Sequence, residues 1–301
     1  MTTGICMAGE RTLETMPIIT AATTARTETA RANEPVEPFG PFGEFSLELA
    51  TTPEQRLICW RMVHEEYRAK GYTQDNGTEL RFSEHDALPG TGTFLVKKGK
   101  TPIGTISVFP DSPLGLPADA IYRKEIAALR AQGRKVAEIG RLTVAAPFAG
   151  DRKVLMEMIE IPCMYARSVL KATDVVITVN PAHRSFYERM MLFDTLGQEK
   201  PFDSVCGAMA VLLRMDLARQ RDLIRQAHGE TEAEERRMRR TVYRVFRSEA
   251  DEARFAARVR KLRRPLPPDF LRRHFHSRPA DALNLSDKSD LSDKPATLHA
   301  N

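Results

Sequence analysis

Alternating strand-like and helix-like runs between residues 46 and 215 constrain the fold of this 301-residue chain more than any other feature. The KKGK sequence between two apolar runs predicts a hairpin, whereas runs with helical periodicity connect the other strands as crossovers. The order β–α–β–β–α–β–α–β–α–β predicts an α/β (α+β) fold, with one mixed sheet and helices on both of its faces. The predicted strands cover residues 46–50, 93–97, 102–109, 136–145, 174–179 and 204–215, and the predicted helices cover 53–68, 118–132, 151–171 and 181–191.

The composition changes on either side of this region and predicts four segments. Residues 1–44 are rich in Thr, Ala, Glu and Pro, so we expect a flexible leader before a mixed-sheet domain over residues 45–215. Residues 216–264 are charged and nearly free of Gly and Pro, which favours a basic helical extension. Residues 265–301 are polar and contain a short LSDK repeat, so we expect a disordered tail.

The overall composition, with 42% hydrophobic and 28% charged residues, is that of an ordinary globular protein. No apolar run approaches the roughly 18 residues of a membrane-spanning helix, and the N-terminus lacks the apolar core of a signal peptide. We therefore expect a cytoplasmic protein without a transmembrane segment. The four cysteines lie far apart without metal-ligand spacing, so no metal site is expected. The usual motifs of ATP-, dinucleotide- and zinc-dependent enzymes are missing.

Two charged residues lie within the predicted central strand, VAEIGRLTVA. Glu138 and Arg141 are costly in a buried strand without partners, so another group must compensate them. Regular alternation places the two side chains on opposite faces unless a bulge intervenes. A salt-bridged pair of strands at a sheet edge is the structural alternative to a functional site.

Further candidates follow the predicted strand at 174–179 and the first predicted helix. A polar loop at the carboxyl end of a strand is a common ligand position, and this one carries His183, Arg184 and Tyr187. A surface position at a helix N-terminus is the alternative explanation for each of these three residues. The first helix and the loops after it supply Arg61, Tyr67, Tyr72 and Asp86. A local turn capped by its own carboxylate is a sufficient explanation for Asp86.

The element order and several short motifs together resemble the acyl-CoA N-acyltransferase (GNAT) superfamily. Within it, EIGRLTVAAPF is similar to the Glu-x-x-Arg strand of acyl-homoserine lactone synthases, and the closer similarity is to their relatives, the FeeM-type N-acyl amino acid synthases. The resemblance covers about residues 46–215. Its motifs are Tyr67 to Tyr72 (Tyr-x-x-x-Gly-Tyr), Gly104-Thr105, Gly115-Leu116-Pro117, Glu138 with Arg141, and the helix with His183, Phe186 and Tyr187.

This resemblance implies a GNAT-like fold, in which helices flank a mixed, mostly antiparallel sheet. The C-terminal helical extension that the composition predicts would follow this fold. It implies transfer of a long-chain fatty acyl group from an acyl carrier protein thioester to the amine of an amino acid. No bound cofactor is implied, since the donor is the acyl-phosphopantetheine of the carrier protein, or acyl-CoA. Glu138 is the candidate base, Arg141 positions its surroundings or holds the substrate carboxylate, and Tyr187 is the candidate acid. The substrate-binding candidates are Arg61, Tyr67, Tyr72, Asp86, His183 and Arg184.

The expected donor site departs from the usual GNAT pattern. The glycine-rich loop that cradles the CoA pyrophosphate is replaced by PFAGDRK, in which one glycine remains and Asp151 repels a phosphate. This departure favours a carrier protein, which is acidic and would dock on Arg152, Lys153 and neighbouring basic residues. A bulge at Ile139-Gly140 would open the sheet for the pantetheine arm. The donor-binding candidates are Ile139, Gly140, Leu142, Val144, Arg152 and Lys153.

Two other functions remain open at this point. An acyl-homoserine lactone synthase would use the same chemistry, but Gly104-Thr105-Ile106-Ser107 lacks an Arg that those enzymes usually carry, which favours N-acyl amino acids. A non-catalytic GNAT-like module would instead bind nucleic acid or an acidic membrane through its tail, where roughly 19 Lys and Arg outnumber roughly 10 Asp and Glu. We expect no nucleic-acid partner and leave a peripheral membrane contact open. For an enzyme, activity should survive deletion of residues 216–301.

Overall fold

The described strands, which lie between residues 41 and 216, form a single sheet. The computed structural model describes residues 41–275, apart from residues 43, 75–76, 230–235 and 237. The strands are β1 (Pro41–Phe42), β2 (Phe45–Leu49), β3 (Gly92–Lys98), β4 (Thr101–Pro110), β5 (Val136–Val144), β6 (Asp174–Val179), β7 (Asp194–Thr195), β8 (Lys200–Phe202) and β9 (Ala208–Asp216). Their order is β1-β2-β3-β4-β5-β6-β9-β7, and β8 also pairs with β9. Within these residues β5 and β6 pair in parallel and the other pairs are antiparallel, which confirms the predicted mixed, mostly antiparallel sheet.

Helices connect these strands and follow the last long one. The Thr52 side chain accepts a hydrogen bond from the Gln55 backbone while the Gln55 side chain accepts one from the Thr52 backbone, a capping box that begins the first helix. Asn180 begins the helix after β6 by accepting from the Ala182 backbone. The helices with described bounds are α1 (Pro53–Ala69), α2 (Asp119–Ala131), α3 (Arg152–Met164), α4 (Pro181–Met190), α5 (Leu217–Ala227), α6 (Glu249–Leu262) and α7 (Pro268–His274).

The sheet carries an apolar core on each face, as predicted. On one face α2 packs its buried side chains Tyr122, Ile126 and Leu129 against β4, β5, β6 and β9. On the other face α3 and its neighbours pack into the larger core. The helix predicted over 151–171 is present, but only Arg152–Met164 of it is α-helical. The following residues, Tyr165–Val169, form a π-helical turn.

The region after α4 differs most from the sequence prediction. The short strands β7 and β8 were not predicted, since two or three residues are too few to show a periodic pattern. The last strand begins at Ala208 rather than at residue 204. Cys206 and Gly207 adopt positive φ angles of 55° and 76°, which end the preceding turn and delay the extended conformation.

The basic helical extension is part of the main core. Phe255 and Val259 of α6 are buried in the same cluster as α3. Glu252 accepts hydrogen bonds from Arg167, and this ion pair is almost fully buried. Deletion of residues 216–301 would uncover this core, so survival of activity after that deletion is no longer the expected result.

The first part of the expected disordered tail is helical, so that prediction is wrong for these residues. Phe270 of α7 is buried and stacks on Trp60 of α1, with ring centroids 5.7 Å apart. Aromatic burial therefore anchors residues that their polar sequence suggested would be free. At the other end, Pro41–Phe42 forms a strand inside the expected leader. The rest of the leader, residues 1–40, and residues 276–301 lie outside the described part of the chain.

Candidate active site

Strand β5 contains a β-bulge inside the Glu-x-x-Arg motif. Arg141 and Leu142 together lie opposite Ile106 of β4, because the register shifts by one residue there. Arg141 has φ of +57°, in the left-handed region that such a side chain rarely adopts. The bulge predicted at Ile139-Gly140 therefore lies two residues further along the strand.

The bulge turns the Arg141 side chain toward the face that carries Glu138. Glu138 pairs across the sheet with Phe109, and directly paired residues share a face. The guanidinium carbon of Arg141 lies 5.5 Å from the centroid of the Phe109 ring. Regular alternation would have placed Arg141 on the opposite face, so the bulge brings the two charged groups of the motif together.

Strands β5 and β6 separate next to Glu138. Their parallel pairing ends where Ile139 lies opposite Ile177. Beyond this point Gly140, Thr143 and Val144 pair with β4, and residues 178–179 pair with β9. Such a gap exposes backbone N–H and C=O groups that can bind an extended chain as an added strand would. The β5 side of the opening carries four donor-binding candidates, all half-buried: Ile139, Gly140, Leu142 and Val144.

The Glu138 carboxylate is buried on this strand, with 5% of the residue exposed. Its Oε2 accepts a hydrogen bond of 2.7 Å from the backbone N–H of Ala118, just before α2. Burial raises the pKa of Glu138 from 4.5 to about 8, although the Ala118 N–H and the charge of Arg141 favour ionisation. No ion pair engages Glu138 among the described residues, so a salt-bridged pair of strands does not explain it.

A loop before β3 holds the Arg141 guanidinium. Its Nη2 donates to Oδ2 of Asp86 over 2.7 Å and to Oγ of Ser83 over 2.9 Å. The Asp86 side chain is fully buried and also accepts from the Ser83 backbone N–H. Asp86 therefore closes the local turn expected from the sequence and also neutralises Arg141.

Tyr67 and Tyr72 extend this group of side chains. Tyr67 lies edge to face with Tyr72, and the Arg81 guanidinium carbon lies 4.9 Å from the centroid of the Tyr67 ring. Burial raises the pKa of Tyr67, while the charges of Arg141 and Arg81 oppose that rise. The Tyr72 hydroxyl accepts a hydrogen bond of 3.3 Å from the side chain of Asn180, at the beginning of α4. We call Glu138, Arg141, Asp86, Tyr67 and Arg81 the charged cluster.

Sequence reasoning missed Arg81 as a member of this cluster. Its Nη1 donates to Oγ1 of Thr73 over 3.2 Å, and its Nη2 donates to the Oγ of Ser204 over 3.2 Å and to the Ser204 carbonyl oxygen. The sequence does contain a signal that could have pointed to Arg81. This charged residue lies between two apolar residues, Leu80 and Phe82, in a segment without helical or strand periodicity.

Other predicted site residues lie outside the charged cluster. Arg61 and His183 are exposed. Arg184 forms an ion pair with Glu188 over 2.8 Å on α4. No described contact joins any of these three candidates to Glu138, so their roles in substrate binding stay predictions.

Tyr187 lies on the side of α4 that packs toward the larger core. Its ring lies edge to face with Phe186 and Phe193, at centroid distances of 5.3 and 5.9 Å. Burial raises the pKa of the Tyr187 hydroxyl to about 12, which keeps it protonated at neutral pH. Among the described contacts none joins it to Glu138 or Arg141.

The N-terminus of α3 is capped by its own chain. Asp151 accepts hydrogen bonds from the backbone N–H groups of Lys153 and Val154, over 2.8 and 3.2 Å. These are groups that a pyrophosphate would otherwise bind. Arg152 and Lys153 are exposed beside the cap.

The described residues contain no group of three or more His, Cys, Asp or Glu side chains placed to hold a metal ion. In the same residues no helix has the length and apolar character to cross a membrane. Of the four cysteines, Cys59 and Cys163 are buried, Cys206 is exposed, and all three are free.

Comparison with known proteins gives the class to which this fold and site belong. Residues 58–216 match the model of the family described as "FeeM: N-acyl amino acid synthase FeeM". The solved structure of FeeM, an N-acyl amino acid synthase from uncultured soil microbes, is 27% identical, with a TM-score of 0.53 over 59% of this chain and 93% of that one. No curated protein sequence matches significantly. The fold and these matches define an N-acyltransferase with a GNAT-like fold.

The family match covers more than half of the 301 residues, and the chain belongs to the FeeM N-acyl amino acid synthase family. The acyl-homoserine lactone synthase LasI is 12% identical, with a TM-score of 0.42 over 57% of this chain and 90% of that one. An N-acetyltransferase structure from Lactobacillus plantarum, described as putative, is 13% identical, with a TM-score of 0.40 over 58% of this chain and 99% of that one. The family assignment confirms the predicted enzyme class, an acyltransferase.

Proposed function

We propose that the protein transfers a long-chain fatty acyl group from the thioester of an acyl carrier protein to the α-amine of an amino acid. The observation that carries this proposal is the buried Glu138 carboxylate, with its raised pKa, beside the opening between β5 and β6. A thioester entering that opening as an extended pantetheine arm would present its carbonyl carbon close to this base.

The proposed reaction has three bond changes. Glu138 removes a proton from the substrate ammonium, directly or through water, because a protonated amine has no electron pair for attack. The amine nitrogen then bonds to the thioester carbonyl carbon, and a backbone N–H freed at the bulged strand stabilises the oxyanion. Finally the C=O bond re-forms as the C–S bond breaks, and the thiolate leaves with the electron pair. Tyr187 gives the thiolate a proton, and the attacking nitrogen, which still carries two protons, returns one to Tyr187, so that the free thiol and the amide result.

Tyr187 is the proposed donor of the proton that the leaving thiolate takes up. A thiol has an ordinary pKa of about 8.5, so a thiolate leaves readily and gains little from an acid. We therefore expect Tyr187→Phe to lower kcat by no more than about tenfold, with KM for both substrates unchanged. Steady-state kinetics check this, and a loss above about a hundredfold in kcat would show that protonation limits the reaction.

The donor is proposed to be a carrier protein rather than CoA because Asp151 occupies the backbone donors at the start of α3. The pantetheine arm is proposed to contact Ile139, Gly140, Leu142 and Val144. Exposed Arg152 and Lys153 then offer positive charge to an acidic carrier surface.

Reversing these two charges should weaken carrier docking. Arg152→Glu with Lys153→Glu is expected to raise KM for acyl carrier protein about tenfold at low salt, and by less as ionic strength rises. The matched control reverses the exposed Arg123 and Lys124 on α2 and should leave KM unchanged. If both double variants raise KM for acyl carrier protein equally, the net charge of the protein explains the effect. That result would contradict docking at the start of α3.

The proposed function is tested by incubating the full chain with long-chain acyl carrier protein and a panel of amino acids, and identifying products by mass spectrometry. An N-acyl amino acid supports the proposal. A parallel reaction with S-adenosylmethionine as the acceptor tests the alternative of a lactone synthase. A product with the mass of an acyl-homoserine lactone would support that alternative. Acyl transfer to none of these acceptors would overturn the proposal.

A further inference from the structure

The guanidinium groups of Arg81 and Arg141 both lie near Tyr67, although Arg141 covers a different ring, that of Phe109. Both charges act on the Tyr67 hydroxyl, and the Arg81 guanidinium lies directly over the Tyr67 ring. Burial and the neighbouring charge of Arg141 lower the pKa of Arg81. Arg141 has an acidic partner, Asp86, but Arg81 forms no ion pair with a described acidic residue. Two like charges are therefore close together with one carboxylate to neutralise them.

Several polar atoms at this place are buried without a hydrogen-bond partner. They include the Nε atoms of both Arg81 and Arg141, and Oδ1 of Asp86. Unpaired buried donors and acceptors are unfavourable, and proteins rarely leave several of them together. Two unused cationic donors beside an unused carboxylate oxygen match a ligand with one anionic and one cationic group.

An α-amino acid is such a ligand. One carbon atom separates its carboxylate from its ammonium group, so a carboxylate bound by two guanidinium groups fixes the amine nearby. Glu138, the proposed base, pairs across the sheet with Phe109, whose ring the Arg141 guanidinium covers at 5.5 Å, so the base and that guanidinium group share one face of the sheet. A simple amine could reach Glu138 but would leave both Nε donors unpaired.

We propose that Arg81, together with Arg141, binds the α-carboxylate of the acyl acceptor and so selects amino acids over amines without a carboxylate. This inference rests on the proposed function and names the specificity element of that site. The Nη atoms of Arg81 are anchored to Thr73 and Ser204, which fixes its guanidinium group before the substrate binds. Arg81 is thus a binding residue whose substrate contact depends on the acceptor's carboxylate.

The test compares two acceptors, the amino acid that reacts fastest with the full chain and the amine that lacks its α-carboxylate. For the unaltered protein, kcat/KM should favour the amino acid by about a hundredfold or more. Arg81→Ala and Arg81→Gln should raise KM for the amino acid about 10- to 100-fold, with kcat and the KM for the acyl donor within about threefold. Both variants should leave kinetics with the amine within about twofold. Arg68→Ala, which removes an exposed arginine of α1, is the matched control.

Three results would overturn the inference while acyl transfer itself persists. In the first, the unaltered protein has the same kcat/KM for the amine as for the amino acid. In the second, the Arg81 variants lower kcat/KM for both acceptors equally, as a merely structural role predicts. In the third, the Arg81 variants raise KM for the acyl donor instead, which would place Arg81 in the donor-binding site. Thermal melts of each variant identify loss of folding, and an Arg81→Lys variant then keeps the comparison possible because it retains the charge.

Discussion

Glu138→Gln is expected to lower kcat/KM by about a hundredfold to ten-thousandfold, the range over which a positioned base accelerates a reaction. The amide has nearly the shape of the carboxylate, and its oxygen can still accept the Ala118 N–H, so the variant keeps its buried hydrogen bond. It has no basic electron pair to take a proton from the ammonium group. Steady-state kinetics with acyl carrier protein and the preferred amino acid measure the loss.

The pH profile of the same variant tests the role of Glu138 independently. Because the pKa of Glu138 is raised to about 8, activity of the unaltered protein should rise with pH until it levels off near that value. The Gln variant should lose this inflection and retain only that of the substrate amine. A residual rate within about threefold of the unaltered protein would show that Glu138 is not the base.

The stability of the two proteins should diverge in the same range of pH. Between pH 4.5 and about 8 the folded protein holds a proton on Glu138 that the unfolded chain releases. Stability therefore falls as pH rises through this interval, because the folded state binds more protons. Glu138→Gln removes that contribution, so denaturant unfolding should show a flatter pH dependence for the variant.

The mixed sheet and the order of its elements along the chain could be predicted from the sequence because each long element carries its own pattern. The apolar run of β6 and the capped start of α1 are local signals, and local signals survive the loss of tertiary context. The Glu-x-x-Arg motif also indicated the strand on which the charged cluster forms. These features need no knowledge of what the segments contact.

The bulge at Arg141 shows where local signals end. The neighbouring glycine, Gly140, suggested the bulge, yet the residue with positive φ is an arginine. Its position follows from the register with β4 and from the Asp86 carboxylate that holds the guanidinium group. Both are contacts across tens of residues, and neither leaves a pattern in the strand itself.

The C-terminal extension was misjudged for a related reason. Its charged composition predicted a basic extension separate from the mixed-sheet domain, because charged side chains are rarely buried without partners. In the structure some of these charges are paired in the interior: Arg247 binds Glu160 and Glu157 of α3. Composition counts charges but does not show which of them meet, so the sequence could not assign this segment to the core.

Asp174→Ala should produce the largest loss of stability of the changes considered. Asp174 is fully buried at the first position of β6, beside both β5 and β9. Its Oδ1 accepts from Arg214 over 2.6 Å, and its Oδ2 binds Arg134. Removing one partner from a buried ionic group leaves the others uncompensated, so we expect a loss of about 3 kcal/mol in the free energy of unfolding. This corresponds to a fall in Tm of about 6–12 °C for a domain of this size.

A matched exposed pair provides the control for this effect. Asp194 binds Arg219 over 2.7 Å, but both side chains are about half exposed, at 57% and 45%. Solvent screens such a pair, so Asp194→Ala should change the free energy of unfolding by less than about 1 kcal/mol. Urea denaturation of both variants at one pH measures the difference. Equal losses of unfolding free energy in the two variants would show that burial of Asp174 adds no stability. Arg134 and Arg214 would then be neutralised by Asp216, which contacts both. A large loss for Asp174→Ala alone would identify this carboxylate as the group that fixes the start of β6 against β5, and so holds together the strand pair whose other end forms the opening on which the proposed reaction depends.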